Sequence, residues 1–324
     1  MFYLHYAAYL LLLALLGPAI MLGCQSGKIS KGIPSTIIVG EAAIHQEPNS
    51  LSPKLATLTF GQEVMAFPKK SPKLLGDWTE VGLDKHRSGF VKDSALGTTT
   101  ILETFQQLNQ SIEGIEPQAS GMTTAPTYFR LEPGRQGKPI EKLPRGTRFE
   151  MFQRQATVLA GPNGTLDIGP PKKEIWYKVR LADSRVGFIF TRNFKLEPPS
   201  EISVYTQSRK PMAWLQLRTG KGEESASGSD YIAAYATPNS DFGADFDRIE
   251  VYSWDGQRYQ TVFHTKGLRG ILPIRVIRVK EDIYFEITEI NPNRKAQVVV
   301  SRYLYDYPYK IVGSSTVEQD VGLH

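Results

Sequence analysis

The stretch IWYKVRLADSRVGFI, residues 175–189, occurs twice in this chain of 324 residues. Its earlier form is DWTEVGLDKHRSGFV, residues 77–91, in which Trp, Val, Leu, Arg, Gly and Phe recur 98 residues upstream. The preceding pattern Leu-x-x-Gly also matches, from Leu58 and from Leu143, at an offset of 85 residues. The difference between the two offsets is an insertion within 153–174. The chain therefore contains a duplicated domain with one lengthened surface loop.

Each copy consists of short alternating strands separated by turn residues, the pattern of a small all-β barrel or sandwich. Because side chains alternate along a strand, Trp176 and Tyr177 are expected on opposite faces. Gly187 predicts a bend at which two backbones approach closely.

The Trp-containing strand, the turn and the following Gly-aromatic strand resemble the bacterial SH3-like (SH3b) domain family. The signature of that family is a Gly-Trp-Tyr-Lys-Val strand, a short turn and a Gly-Trp-Val strand. Here the last motif is Gly-Phe-Val at 89–91 and Gly-Phe-Ile at 187–189, so Phe replaces the usual Trp. The Leu-Asn-Val-Arg that opens the family corresponds to Thr-Tyr-Phe-Arg at 127–130 and to Ala-Ala-Ile-His at 42–45.

The resemblance implies two SH3-like folds, at about 36–96 and 125–196. It also implies a ligand in the envelope of a bacterial cell, since domains of this kind often accompany wall hydrolases.

Residues 2–23 are apolar except for His5, and Cys24 follows them directly. An apolar run that ends in a small residue before Cys predicts a lipoprotein signal peptide, and the sequence at 21–24 resembles a lipobox. Cys24 would then be the lipidated first residue of the mature chain and would hold it to the membrane. The resemblance to lipoproteins implies the outer membrane if the cell is Gram-negative, because residue 25 is Gln and not the Asp that retains such proteins in the inner membrane.

Two other interpretations of the N-terminus remain open. About 20 apolar residues can span a bilayer, so the run could be an uncleaved signal anchor. It could also be an ordinary secretory signal in which the Cys is incidental. Cys24 is the only cysteine in the chain, so no disulfide is expected in the exported part.

An apolar stripe predicts a helix between the two copies, because apolar residues at spacings of three and four share one helical face. The stripe consists of Ile101, Phe105, Leu108, Ile112 and Ile115. We expect this helix to pack between the two repeats.

After Pro198-Pro199 the chain changes to strand-like runs with explicit turns, which predict an antiparallel sheet. The fold class is thus mainly β, with two small SH3-like β-barrels joined by a short helix and followed by an antiparallel β-sheet domain. The expected organisation is a signal peptide at 1–23, a tether at 24–35, SH3-like domains at 36–96 and 125–196, a helical linker at 97–124 between them, the sheet domain at 200–313 and a tail at 314–324.

Positive charge is concentrated in the second copy. Residues 125–196 contain 14 Lys and Arg against 6 Asp and Glu, whereas 36–96 contain 7 of each. A basic surface attracts anionic polymers and membrane surfaces. In a cell envelope the expected partners are peptidoglycan, other anionic polymers or an envelope protein, and nucleic acid is not expected. A solvated surface without a partner is the alternative.

The residues that common hydrolases require are missing from the predicted domains. A cysteine peptidase needs a thiolate beside a His base, and Cys24 belongs to the signal. A zinc site needs several clustered ligands, but the five His residues are widely separated. No Gly-x-Ser-x-Gly motif occurs. We therefore expect no enzyme activity, no metal and no cofactor.

Aromatic and Arg side chains of the second copy are the candidate ligand-binding residues, because rings and flanking Arg can stack on sugars or hold a short peptide. They are Tyr128, Arg130, Trp176, Tyr177 and Arg185. The alternative is that the two central aromatics divide between core and surface, as strand aromatics usually do.

Three functions remain open at this point. The first is a non-enzymatic envelope lipoprotein that binds wall material or an envelope protein through its SH3-like domains. The second is a structural or assembly lipoprotein in which the third domain makes the interactions. The third, less favoured, is a hydrolase of unrecognised type.

Overall fold

A computed structural model describes residues 32–69, 75–84, 86–137, 139–158, 173–206, 209–219, 228–237, 243–291, 297–306 and 310–320. The predicted signal peptide, Cys24 and most of the tether lie outside the described residues. Within the described residues, no helix is both long and apolar enough to cross a membrane. The chain is mainly β with antiparallel sheets, as the sequence predicted.

The first sheet has seven strands in the spatial order β3-β2-β6-β5-β4-β1-β7. Their bounds are β1 Ile33–Ile37, β2 Glu41–His45, β3 Lys54–Thr59, β4 Glu63–Ala66, β5 Trp78–Gly82, β6 Ser88–Lys92 and β7 Leu96–Gly97. Its core is aliphatic and includes Ile37, Ile44 and Val81, which are fully buried.

The second sheet has the order β10-β9-β13-β12-β11-β8-β14, which repeats the relative order of the first. Its strands are β8 Ala119–Thr123, β9 Thr127–Arg130, β10 Pro139–Leu143, β11 Arg148–Val158, β12 Lys173–Leu181, β13 Val186–Phe190 and β14 Phe194–Leu196. Both Trp-containing segments are strands, β5 and β12. Closure of each sheet into an SH3-like barrel stays a prediction.

The helix between the repeats is α1, Thr99–Gln110. Phe105 is buried and its ring lies 5.2 Å from that of Phe60 in the first repeat. Beyond the helix, Ile112 packs with Phe152 and Val186 of the second repeat. This segment thus lies between the two repeats, where its apolar stripe is covered from both sides.

The third sheet is a meander in which consecutive strands are neighbours. Its strands are β15 Lys210–Arg218, β16 Asp230–Ala236, β17 Phe246–Trp254, β18 Tyr259–Val279, β19 Asp282–Ile290, β20 Gln297–Asp306 and β21 Lys310–Asp320. A short helix, α2 Ser200–Ser203, precedes it. The sheet extends past residue 313, because β21 runs through most of the segment that the sequence assigned to a tail.

Buried polar groups join the second repeat to the third sheet. The Gln118 side chain is fully buried, donates to the Ile274 carbonyl at 3.0 Å and accepts from the Ile274 amide at 2.8 Å. Arg154 lies 2.6 Å from the Asp245 carboxylate, and both side chains are buried. These contacts hold one face of the second repeat against the third sheet.

Candidate binding site

Three of the five predicted site residues lie together on the second repeat. The Arg130 guanidinium is 5.5 Å from the centre of the Tyr128 ring and 5.9 Å from that of the Trp176 ring. Both separations are within the range of cation–π attraction. Tyr128 is 48% exposed, so its ring is available to a ligand.

The contacts continue across the sheet in both directions. On one side Lys142 of β10 pairs with Tyr128 of β9, and its ammonium lies 5.8 Å from the Tyr128 ring. On the other side the Phe190 ring is 5.2 Å from that of Trp176, and the Arg192 guanidinium is 5.9 Å from Phe190. We call this set the basic–aromatic strip: Lys142, Tyr128, Arg130, Trp176, Phe190 and Arg192.

The strip crosses four adjacent strands, in the order β10, β9, β13 and β12. Neighbouring strands are about 4.8 Å apart, so it spans roughly 14 Å. Its cations lie at intervals along that length, which suits a ligand with repeated negative charges.

Trp176 is only 3% exposed, so it supports the strip from below. Its indole nitrogen is buried and has no hydrogen-bond partner among the residues that the structure describes. Nearby, the buried Glu174 carboxylate lies 2.5 Å from the Arg135 guanidinium, which is itself 5.7 Å from the Phe190 ring. The exposed ring of the strip is therefore that of Tyr128.

Tyr177 lies away from the strip, on the opposite face of β12. It is 2% exposed, and its ring packs edge-on against Phe194 at 5.1 Å. Burial raises the pKa of Tyr177 to about 12, because loss of water disfavours the phenolate, while the charge of Arg154 opposes this shift. Tyr177 therefore belongs to the packed interior of the second repeat, close to the Arg154–Asp245 pair.

Arg185 is also away from the strip and lies at the junction of the two repeats. It is 2% exposed, pairs with Asp183 at 2.8 Å and with Glu141 at 2.5 Å, and donates to the Ile38 carbonyl at 3.3 Å. Glu141 in turn accepts from the Gly40 amide at 3.0 Å. Because these partners come from both repeats, Arg185 joins the two repeats.

Six basic side chains of the second repeat form ion pairs: Arg135, Arg148, Arg154, Arg180, Arg185 and Lys195. Arg180 pairs with Glu150 at 2.7 Å, and Arg154 and Arg185 hold neighbouring units. In the described part of the chain Arg130, Lys142 and Arg192 form no ion pair. Three cations that have no ion pair among the described residues therefore lie on the strip that includes Tyr128.

The first repeat has an equivalent arrangement around Trp78, with fewer cations and with a smaller residue in the place of Tyr128. Trp78 corresponds to Trp176; its ring is 5.4 Å from that of His45 and 5.6 Å from the Lys92 ammonium. The position of Tyr128 is occupied by Ala43. This face therefore carries more cations in the second repeat than in the first.

Three residues of the strip were not predicted from the sequence: Lys142, Phe190 and Arg192. The antiparallel register between β9 and β10, which places Lys142 opposite Tyr128, was the missing information. Phe190 aligns with Lys92 at the repeat offset, so a search for aromatics that replace charges between the copies could have found it.

The main buried polar cluster of the third sheet surrounds Glu250. Its carboxylate accepts from the Tyr252 hydroxyl at 2.5 Å and pairs with Arg209 at 2.5 Å and Arg248 at 2.9 Å. Burial raises the pKa of Tyr252 well above its ordinary range, so the phenol stays neutral and acts as a donor. Among the described residues, no three His, Cys, Asp or Glu side chains are grouped to hold a metal ion.

Comparison with known proteins leaves the family open. No family model matches the chain, and no curated protein matches it. Two solved structures align along most of it, those of NlpC1 and NlpC2 from Trichomonas vaginalis. NlpC1 is 10% identical, with 91% of this chain and 96% of that chain covered and a TM-score of 0.19. NlpC2 is 9% identical, with 88% and 96% covered and a TM-score of 0.17. Likenesses this weak carry no argument about fold or function.

Proposed function

We propose that this chain is a non-enzymatic, lipid-anchored protein of the bacterial cell envelope that binds anionic envelope polymer through the basic–aromatic strip. The observation that carries the proposal is the exposed Tyr128 ring between the cations of Arg130 and Lys142. Polymer chains with a negative charge on each unit match cations spaced across a sheet. Cys24 supplies the anchor, and the outer membrane is the favoured location.

The rest of the second repeat supports this assignment of roles. Tyr177 is buried inside the second repeat and Arg185 is buried at its junction with the first, so both are structural in the proposed function. Trp176 supports Arg130 from below. One exposed ring and three cations without an ion pair in the described part of the chain leave charge as the main source of affinity, with stacking on Tyr128 as the smaller one.

A sedimentation assay with purified wall sacculi and the full chain in detergent tests the proposal. Bound protein should fall steeply between 50 mM and 1 M salt, because the Debye length shrinks from more than 10 Å to about 3 Å. The double variant Lys142→Gln and Arg192→Gln should bind severalfold less at low salt. Tyr128→Ala should lower the fraction that persists at high salt.

Lys54→Gln is the matched control, because Lys54 is an exposed cation of β3, the strand of the first repeat that corresponds to β10. It should bind as the wild type does. Equal binding by the wild type and the strip variants, or wall binding that salt does not change, would contradict the proposal. Sacculi stripped of their anionic polymer distinguish that polymer from peptidoglycan itself.

A further inference from the structure

The two repeats meet at a cleft with two lobes. The first lobe, of about 250 Å³, includes Ala43, Trp78 and Lys92 of the first repeat. The second lobe, of about 470 Å³, includes Phe60, Leu143 and Arg148. Glu41 and Glu141 line both lobes, so the two lobes lie next to each other at these carboxylates. Volumes of this size suit a small ligand.

The first lobe is open because a small residue occupies a position that is aromatic in the other repeat. Ala43 corresponds to Tyr128, whose ring lies over Arg130 and Lys142 on the second repeat. A methyl group at the same place in β2 leaves the space beside Trp78 unfilled. The loss of an aromatic residue in the first repeat thus creates a cavity.

The polar groups of the first lobe offer both donors and acceptors. His45 Nδ1 is 2.9 Å from the Ser52 carbonyl, which can only accept, so Nδ1 carries the hydrogen and Nε2 of the neutral ring is an acceptor. The Lys92 ammonium donates, and its exposed side chain can rotate away from the Trp78 ring.

The charges that line the whole cleft cancel. Three cations, Lys92, Arg148 and Arg185, face three carboxylates, Glu41, Glu141 and Asp183. Glu141 and Asp183 are held by Arg185, whereas Glu41 is exposed and has no ion pair in the described part of the chain. A balanced lining gives little net attraction to a charged polymer, in contrast to the strip.

We propose that this cleft is a second binding site and that it takes a neutral saccharide. A sugar ring has an apolar face that packs on aromatic rings. Here the partly exposed Phe60 ring lines one lobe, and Trp78, 7% exposed, forms part of the wall of the other. Its hydroxyls donate to carboxylates such as Glu41 and accept from Lys92. The site is separate from the basic–aromatic strip, and the inference does not depend on the function proposed for that strip.

Isothermal titration of the full chain tests the proposal, with the tetramers of N-acetylglucosamine and of glucose as neutral probes and tetraalanine as a peptide probe. The detergent must lack a sugar headgroup. At least one saccharide should bind saturably, with a Kd that changes less than about twofold between 50 mM and 500 mM salt. Tryptophan fluorescence should change on binding, because Trp78 lines the site.

Two variants locate the site. Ala43→Tyr copies the second repeat and fills the first lobe, and it should weaken saccharide binding at least about tenfold. Glu41→Gln should weaken binding severalfold through loss of a charged acceptor at an exposed position. Lys142→Gln, a change in the strip, is the control and should bind saccharide normally.

Three results would overturn the saccharide site: no saturable binding of either saccharide up to about 10 mM, wild-type affinity in both Ala43→Tyr and Glu41→Gln, or binding of tetraalanine alone. Circular dichroism establishes that each variant is folded, and Glu41→Gln decides the question if Ala43→Tyr is not. Failure of wall binding by the strip variants would leave these measurements unchanged, so the two proposals fail independently.

Discussion

At the scale of single residues, a glycine sets the distance between two strands in each repeat. A Cβ added to Gly187 would lie 2.6 Å from the Arg130 carbonyl oxygen, and one added to Gly89 would lie 2.9 Å from that of His45. Real Cβ atoms rarely approach a backbone oxygen so closely. The close approach expected from the sequence is therefore present, and it places Arg130 beside the Trp176 ring.

Gly187→Ala should lower the free energy of unfolding by about 1–3 kcal/mol, because β13 must move away from β9 to admit the methyl group. Urea denaturation followed by circular dichroism measures the change. Gly137→Ala is the control, since its nearest atom would be 3.4 Å away, an ordinary contact. Equal stability of Gly187→Ala and wild type would show that the strands are not held this closely.

A second residue-scale prediction compares the two arginines that occupy equivalent positions of the repeats. Arg185 is buried and paired with Glu141, whereas the Arg87 side chain is 73% exposed and pairs with the nearby Asp84. Arg185→Gln should cost about 3–5 kcal/mol, because it removes one partner of a buried ion pair.

Arg87→Gln should leave the melting temperature nearly unchanged, because solvent screens that pair. Differential scanning calorimetry of both variants makes the comparison. Similar losses in the two variants would contradict the role given to Arg185, which is to join the repeats.

At the scale of elements, β12 is covered on both faces. Trp176 on one face and Tyr177 on the other are 3% and 2% exposed. Period-two alternation predicted correctly that they point in opposite directions. It could not predict that both faces are covered, because the cover depends on contacts between strands, such as that of the Tyr177 ring with Phe194 of β14.

The burial of Tyr177 predicts a loss of stability in alkali. Its pKa is about 12 in the folded chain against the ordinary 10.0. Below pH 10 the phenol is neutral in both states. Between pH 10 and 12 only the unfolded state releases the proton, so stability falls as pH rises. Tyr177→Phe should remove about 1.4 kcal/mol per pH unit of that slope. Denaturation curves at several pH values measure this slope. An unchanged slope in Tyr177→Phe would mean that other groups cause the loss of stability in alkali.

Strand β18 shows why part of the third sheet could not be predicted. Gly267, Gly270 and Pro273 separate two strand-like runs of the sequence, 259–264 and 274–279, and residues of these types usually interrupt a strand. In the structure one strand runs from Tyr259 to Val279, with an irregular register between Ile271 and Arg275. The first part pairs with β17 and the second with β19, so the glycines and the proline fall where the strand changes partner.

The candidate site was predictable to the extent that it is local in sequence. Tyr128 and Arg130 are two positions apart on one strand, so their common face follows from alternation. Lys142 and Arg192 come from other strands, and the cleft at the repeat junction requires two domains to meet. These features depend on register and docking, which composition and periodicity do not specify.

At the scale of the whole molecule, the proposed function requires an anchor at Cys24. We predict that Cys24 carries a lipid, because it is the only cysteine and directly follows the apolar run 2–23. Cells grown with a fatty-acid probe should label the wild type and not Cys24→Ser. Equal labelling of the two would exclude lipidation at this residue and favour the uncleaved signal anchor or the secretory signal.

The second repeat and the third sheet should unfold together, because buried polar groups join them. Gln118 is 0% exposed, and its side chain satisfies both the amide and the carbonyl of Ile274. Gln118→Leu leaves those two groups buried without partners, at about 1–3 kcal/mol each. The variant should therefore melt at a lower temperature, and calorimetry should resolve a separate transition of the third sheet.

Gln106→Leu, on the exposed face of α1, is the control and should melt as the wild type does. A single transition at the wild-type temperature in Gln118→Leu would mean that apolar packing alone couples the two units.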